Sequence, residues 1–442
     1  MFCPTILRRI YMSSDQSKLD PNPRAQASRR DFLKGAAALA MAGPALACSS
    51  PSEVKESPSA QPAEPSGKPR LLCVGTYSSP QGPEGSPGRG AGIYLFQMDP
   101  ATGGLTRVKL FDNPRNPSWL ALNPAKTHLY SGDEIHQFQG KASGAVSSYS
   151  VDIATGDLKL LNTVSSEGDG PAHISVHPSG RYVFVANYGG GTIAVLPIVA
   201  NGELGPATDV HHYQGPLGPL HATSAPPGSF AISGHDKHHA HMIHADPSGK
   251  RIISTDLASD KILVWNFDLE KGKLTPNNPP DASVPNGDGP RHFIFHPNGR
   301  WFYCIQEEGS AVVLFDYDEA SGKLTQRQVI STLPKGFVGT NFCSEIRISP
   351  DAKFIYGANR LHDSIAFFSI GADGALTFVG EEWTRGDYPR SFTIDPAGDY
   401  LYSCNQRADA VTTFRINKQT GQLTFTGQYT PVGTPAIVVF LT

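Results

Sequence analysis

The chain has 442 residues, with 45 glycines and 37 prolines, and 17% of its residues are charged against a usual ~25%. So many chain-breaking residues exclude a coiled coil, and 37 basic residues against 40 acidic ones exclude a strongly basic nucleic-acid-binding protein. The length alone predicts about three domains of ~150 residues, and the composition fits either a turn-rich all-β chain or a chain with a large disordered part.

Residues 1–47 contain, in order, the three parts of a twin-arginine export signal. Residues 28–34 are S-R-R-D-F-L-K, an apolar run follows at 35–47, and the run ends in the small-residue cleavage pattern A-L-A. That run is too short to span a bilayer, which takes ~20 residues. We therefore expect a signal peptide over 1–47 and a mature protein outside the cytoplasm.

Cys48 directly follows the predicted cleavage site, so the sequence A-L-A-C is also a weak lipidation motif. The Ser/Pro-rich stretch 48–68 would then tether the protein to a membrane. A lipid anchor at Cys48 and release into the periplasm both remain open. Four further cysteines lie in apolar runs without metal-site spacing and are predicted to be small buried hydrophobic residues: Cys73, Cys304, Cys343 and Cys404.

The rest of the chain, residues 69–442, repeats one unit about every 50 residues. An alternating apolar run, a Gly-x-Leu turn and a second run predict a β-hairpin. The turn glycines are Gly103, Gly156, Gly202, Gly272, Gly322, Gly374 and Gly421.

Between these seven hairpins lies a second unit, in which a turn containing proline joins two strands. Its prolines are Pro124, Pro178, Pro247, Pro297, Pro350 and Pro396. The seventh copy is split, because 436–441 can supply its first strand and 71–76 its second. Seven units of four strands, closed by the two chain ends, predict an all-β fold, a seven-bladed β-propeller. Extra residues fall at 205–238, between the fourth strand of one blade and the first of the next, where they can form a lid or wall.

Within a blade, the first strand starts and the second strand ends on the same face, close to the central axis. Polar residues collect at those two places, which predicts a site there. At strand starts lie His173, His241, Arg291, Glu345 and Arg390, and at strand ends lie Glu134, Asn187, Asp256, Glu307, Asn359, Arg360 and Gln406. A structural ring of ion pairs is the alternative.

Seven motifs in order resemble the lactonase seven-bladed propeller family, which includes one type of 6-phosphogluconolactonase and the fungal carboxy-cis,cis-muconate lactonising enzyme. The resemblance covers about residues 70–442. The motifs are at 116–120, 186–191, 239–241, 289–293, 331–334, 358–365 and 389–392.

The resemblance implies an enzyme that hydrolyses a sugar-type lactone similar to 6-phosphogluconolactone by general acid/base catalysis at the central mouth of the propeller, without a cofactor. His241, Glu307 and Arg291 are then the candidate catalytic residues, with His241 or Glu307 as acid/base and arginine holding anionic groups. Candidate substrate-binding residues are His239, Asp256, Glu345, Asn359, Arg360, Arg390 and Asn187. A muconate-type cycloisomerase and a non-catalytic ligand-binding propeller remain alternatives.

The histidine-rich stretch 211–244 raises the further alternative of a metal site. It contains His235, His238, His239, His241 and His244. Their spacing matches no known site, so our expectation is that no metal is required. Nothing in the sequence indicates nucleic-acid binding, and the oligomeric state is left undetermined.

Overall fold

The computed structural model describes residues 69–80, 82, 87–231 and 234–442. The predicted signal peptide (1–47), the linker (48–68) and Cys48 lie outside these residues. Across the described part of the chain, no helix has the length and apolar character needed to cross a membrane.

The described residues form seven antiparallel sheets of four strands, here called blades 1 to 7. Each blade is given from its innermost strand outward. Blades 1 and 2 comprise β4 (Pro117–Leu122), β5 (His128–Asp133), β6 (Ala145–Val151) and β7 (Leu158–Ser165), then β8 (Pro171–Val176), β9 (Tyr182–Asn187), β10 (Thr192–Pro197) and β11 (Asp209–His212). Blades 3 and 4 comprise β12 (Ala240–Ala245), β13 (Arg251–Asp256), β14 (Lys261–Asp268) and β15 (Lys273–Ser283), then β16 (Pro290–Phe295), β17 (Trp301–Gln306), β18 (Ala311–Asp318) and β19 (Lys323–Ser331). Blades 5 and 6 comprise β20 (Cys343–Ile348), β21 (Phe354–Asn359), β22 (Ser364–Ile370) and β23 (Leu376–Trp383), then β24 (Pro389–Ile394), β25 (Tyr400–Asn405), β26 (Ala410–Ile416) and β27 (Leu423–Pro431). Blade 7 comprises β28 (Pro435–Phe440), β1 (Arg70–Thr76), β2 (Gly92–Met98) and β3 (Leu105–Asp112).

The innermost strands form a closed ring, in which each contacts the innermost strand of the next blade and β28 contacts β4. Blade 7 joins the two chain ends, because C-terminal β28 pairs antiparallel with N-terminal β1, with Val438 opposite Val74. This pairing closes the ring of blades, so the ring has no open end where the two chain ends meet. The seven-bladed propeller and its closure by both chain ends are therefore confirmed, and one ring replaces the three domains expected from length.

The repeated glycines make the turns that the sequence predicts, and each of the seven has a positive φ. At Gly421 a side chain would also meet the Phe354 ring of the preceding blade, since a Cβ atom there would lie 2.4 Å from it. The Tyr356 hydroxyl donates to the Gly421 carbonyl at 2.9 Å. The turns therefore also join neighbouring blades. The four cysteines are free and buried, as predicted.

The prediction for residues 205–238 needs correction. The fourth strand of blade 2, β11, lies inside this range, so the inserted loop begins only after His212. The loop crosses towards blades 4 and 5, where the Ser224 amide donates to Asp288 at 2.9 Å and the Gly339 amide donates to the Pro227 carbonyl at 2.9 Å. Because it packs on those blades, none of its described residues lines the main cavity discussed below.

All seven innermost strands carry a β-bulge near their first residue. In blade 4, Pro290 is paired with Gln306 and His292 with Ile305, which leaves Arg291 outside the ladder. A bulge bends its strand and re-aims a side chain. The strand register skips Ser118, Ala172, His241, Arg291, Ser344, Arg390 and Ala436, with Met242 and Glu345 as second skipped positions in blades 3 and 5.

Candidate active site

A cavity of about 920 Å³ opens on the face where the innermost strands begin, and we call it the mouth cavity. Its walls come from strand starts and from residues that follow second strands, as the sequence predicts. The polar residues lining it are Ser79, Arg115, Glu134, His136, Gln137, Tyr188, His241, Glu307, Arg360 and Arg390.

Glu307 lies at the cavity floor between two arginines. Arg291 donates from Nε to Oε2 at 2.9 Å, and Arg360 Nη2 lies 2.7 Å from Oε1, so each carboxylate oxygen has its own guanidinium partner. All three side chains are nearly inaccessible to solvent. Burial by itself would raise the pKa of Glu307, but Arg360 and Arg291 outweigh it and lower the pKa to about 2. Glu307 is therefore an ionised anchor for two arginines and a weak proton acceptor at neutral pH.

The two arginines are held just as firmly. Arg291 donates to the Ser344 carbonyl, and Arg360 donates to the Cys343 carbonyl at 3.1 Å and to the Tyr388 hydroxyl at 3.2 Å. Burial lowers the pKa of Arg291 to about 10, with repulsion from Arg360 adding to it and Glu307 opposing it. Arg291 therefore remains charged at neutral pH. Of the two, only Arg360 lines the mouth cavity, while Arg291 lies beneath it.

A second charged pair lies on the opposite wall of the mouth cavity. Arg390 Nη2 is 3.8 Å from Glu134 Oε1, and its guanidinium lies 5.7 Å from the centre of the Tyr77 ring. Tyr77 and Ser118 both donate to Glu134 Oε2, at 3.0 and 2.6 Å. Hydrogen bonds thus orient the carboxylate that faces Arg390.

His241 is the one imidazole at the cavity floor, where its ring lies 5.5 Å from Tyr188 and 4.9 Å from His292, centre to centre. Its side chain is 3% exposed. Burial is the main cause that lowers its pKa well below 6.5, and the charges of Arg291 and Arg390 add to it. The imidazole is therefore neutral at neutral pH, and neither of its ring nitrogens is engaged by a carboxylate.

The remaining predicted site residues lie outside the mouth cavity. His239 stacks on Tyr188, with ring centres 4.1 Å apart, and Asp256 accepts a hydrogen bond from the His239 backbone at 2.9 Å. Asn187 donates to the Ser166 carbonyl at 2.8 Å and Asn359 to the Thr332 carbonyl at 3.0 Å. These four residues support the walls of the cavity from behind.

Glu345 lies deeper along the axis than the mouth cavity. It pairs with His292 at 3.2 Å and with Arg347 at 3.3 Å. It also lines a separate cavity of about 350 Å³ where the innermost strands end, at the opposite end of the central channel that these strands surround. It is therefore separated from Glu307 and Arg360 by the layer that contains His241 and His292.

Some cavity residues were not singled out from the sequence. Tyr188 is the residue that follows Asn187, and it reaches the cavity because it lies just beyond the last paired position of β9. Arg115 and His136 come from loops flanking β4 and β5 and are held by Asp133 (3.3 Å) and Asp169 (2.7 Å). Because Arg115 and His136 lie outside the repeated strands, no sequence pattern identifies them as cavity residues, and only the folded structure brings them to the mouth cavity.

The histidines of the 211–244 stretch are dispersed. His235 lies between Asp260 (3.3 Å) and Glu308 (3.0 Å), His238 pairs with Asp256 at 2.6 Å, and His244 lies at the opposite end of the channel from His241. In the part of the chain that the structure describes, no three histidine, cysteine, aspartate or glutamate side chains are grouped as metal ligands.

Comparison with known proteins shows which proteins this chain is similar to. Residues 71–440 match the family model described as lactonase, 7-bladed beta-propeller. The 6-phosphogluconolactonase of Bacillus subtilis is 32% identical over 369 residues, which cover 83% of this chain and 97% of that protein. The 6-phosphogluconolactonase of Serratia proteamaculans is 31% identical, covering 77% and 92%. The crystal structure of the periplasmic gluconolactonase of Pseudomonas aeruginosa has a TM-score of 0.75 and 29% identity, covering 85% of this chain and 99% of that one.

Proposed function

Since the chain belongs to the lactonase seven-bladed β-propeller family, we propose that it is exported and hydrolyses a sugar-type lactone in the mouth cavity. Its general class, a lactone-hydrolysing carboxylic-ester hydrolase, follows from the family match and from the curated relatives. The observation that carries the site assignment is the neutral, buried imidazole of His241 beside Arg360 and Arg390 in one cavity.

Opening a lactone requires a base for water and positive charge near the carbonyl oxygen. In this proposal His241 takes a proton from the attacking water as the water oxygen bonds to the carbonyl carbon. The ring C–O bond then breaks, and the leaving oxygen takes that proton back from His241. A positioned base contributes ~10²–10⁴-fold to the rate. Arg360 and Arg390 face the cavity and would stabilise the oxyanion, since Arg bonds oxygen anions through a planar fork.

Glu307 has a different role from that of the base. Because two arginines saturate its oxygens and lower its pKa to about 2, it holds Arg360 and Arg291 in position. Of the two acid/base candidates that the sequence offers, the geometry therefore favours His241.

The charges around the cavity bear on the substrate. Each arginine on its wall has a carboxylate partner: Arg360 with Glu307, Arg390 with Glu134 and Arg115 with Asp133. His136 likewise lies beside Asp169. These carboxylates offset the positive charge of the arginines, so the wall has little excess positive charge with which to bind a phosphate dianion. We therefore propose an unphosphorylated sugar lactone as the preferred substrate over a 6-phosphogluconolactone.

Export supports the same choice of substrate. The twin-arginine motif at 28–34 would carry the folded protein out of the cytoplasm, leaving it periplasmic or anchored to a membrane by a lipid on Cys48. A phosphorylated sugar lactone is made inside the cell, so an exported enzyme would not meet it. The Pseudomonas aeruginosa relative is itself named a periplasmic gluconolactonase.

A pH-stat assay on glucono-lactone, its 6-phosphate and a muconolactone tests the proposal, because opening each ring releases acid. We expect the glucono-lactone to give the highest kcat/KM and His241→Ala to lower its kcat by ~10²-fold or more with unchanged circular dichroism. His244→Ala, on the same strand but at the other end of the channel, is the matched control. A preference for the muconolactone would favour the cycloisomerase branch, and full activity of His241→Ala would refute the assigned base.

A further inference from the structure

Beneath the mouth cavity lies a polar cavity of about 10 Å³, the size of one water site. His241 and His292 both border it. His241 Nδ1 and His292 Nε2 are sealed from solvent and make no hydrogen bond to the protein. Two unpartnered ring nitrogens on one small cavity are costly unless a water satisfies both.

The other side of His292 determines which of its nitrogens carries hydrogen. Its Nδ1 lies 3.2 Å from Glu345 Oε1, and an ionised carboxylate can only accept a hydrogen bond. Arg347 lies 3.3 Å from the second oxygen of Glu345. Burial by itself would raise the pKa of Glu345, but Arg347 and His292 outweigh burial and lower this pKa. His292 Nδ1 therefore donates, and its Nε2 is a bare acceptor facing the small cavity.

We propose that Glu345 and His292, through one water, fix the tautomer of His241. His292 Nε2 accepts a hydrogen from the water, and the water oxygen accepts from His241 Nδ1–H. His241 Nε2 is then left without hydrogen and faces the mouth cavity, as a base needs. Glu345 and His292 are positioning residues in this chain, because they act on the reaction through His241.

The tautomer of His241 matters because both rings are neutral at neutral pH. Burial lowers the pKa of His292 to about 4 and is also the main cause of the low pKa of His241. The other polar neighbours of His241 do not set its tautomer directly, because Arg291, Arg360 and Arg390 only donate and Glu134 Oε2 accepts from Tyr77 and Ser118. Glu134 also borders the small cavity, and its carboxylate can take the second hydrogen of the water, which leaves the water oxygen to accept from His241.

Nitrogen-15 NMR of labelled histidine tests the chain directly, because N–H and bare imidazole nitrogens have distinct shifts. In the wild-type protein we expect His241 to carry hydrogen on Nδ1. His292→Phe, which keeps a ring of similar size, and Glu345→Gln, which keeps the shape, should both move hydrogen toward Nε2. His241→Asn assigns the signals, and His244→Gln, at the opposite end of the channel, should leave the His241 signals unchanged.

The kinetic readout rests on the proposed function. A base in the wrong tautomer can cost up to ~10⁴-fold in kcat, so we expect a drop of at least tenfold for His292→Phe, with little change in KM. If the wild-type protein hydrolyses no lactone, the proposed function fails while the NMR result still decides the tautomer chain. Hydrogen on Nε2 in the wild-type protein, or the same tautomer in both variants, would overturn the inference.

Discussion

Replacing Glu307 with glutamine removes one negative charge from the cavity floor while keeping the shape of the side chain. The variant imitates the protonated carboxyl group, so the pKa of Glu307 gives the size of the effect. Its usual value of 4.5 falls to about 2 in the folded protein, and ~1.4 kcal/mol for each pH unit makes the ionised form worth roughly 3 kcal/mol. Loss of one partner from a buried ion pair costs a similar ~3–5 kcal/mol.

The sign of the effect fixes its pH dependence. A lowered folded-state pKa stabilises the protein fully above pH 4.5, and that stability is lost as the pH falls towards 2. Glu307→Gln should therefore lower the free energy of unfolding by roughly 3 kcal/mol at pH 7 and by about 2 kcal/mol at pH 3.5. Urea unfolding followed by tryptophan fluorescence measures both. Glu270→Gln, which breaks an exposed ion pair with Arg181, should change little at either pH. Equal losses at the two pH values for Glu307→Gln would refute this account of the cavity floor.

Three further outcomes are expected. The kcat/KM for lactone should stay level from pH 8 to well below pH 6.5, because burial and neighbouring arginines lower the pKa of His241; an acid limb near 6.5 in the pH profile would contradict its assignment as base. Gly421→Ala should lower the melting temperature more than Gly427→Ala, since both have positive φ but only the first brings Cβ within 2.4 Å of Phe354; equal shifts would remove the steric argument. Arg115→Ala should lower kcat/KM for the 6-phosphate no more than for glucono-lactone if its charge is already committed to Asp133; a selective loss for the 6-phosphate would show that Arg115 binds phosphate.

The fold could be predicted from the sequence because each blade repeats the same local signals. Turn glycines with positive φ and alternating strands are properties of short segments, and seven copies reinforce one another. The closing of the ring was also predictable, since the unpaired first strand at the C-terminus and the unpaired second strand at the N-terminus complete each other.

The site was predicted less exactly than the fold, because the end of strand pairing decides which side chain reaches the cavity. Asn187 and Asn359 are the last paired residues of their strands, and their amides bond to the segments that lead in from the preceding blade. Glu307 and Arg360 come immediately after the last paired residues of β17 and β21, and they face the cavity. A shift of one position along the chain therefore decides whether a side chain supports the wall or faces the cavity. The sequence pattern alone does not show at which residue the strand pairing stops.

The bulges of the innermost strands make the side chains on the axis independent of the strand pairing that holds the propeller together. A bulged residue makes no ladder bond, so exchanging its side chain need not shift the strand register. Neighbouring blades 7, 1 and 2 carry small residues there, Ala436, Ser118 and Ala172, whereas blades 3, 4 and 6 carry His241, Arg291 and Arg390. One arc of the ring is thus lined by small residues, while the other supplies an imidazole and two arginines. For an engineer, or for evolution, the bulged positions are those where the chemistry along the axis can change while the closed ring stays as it is.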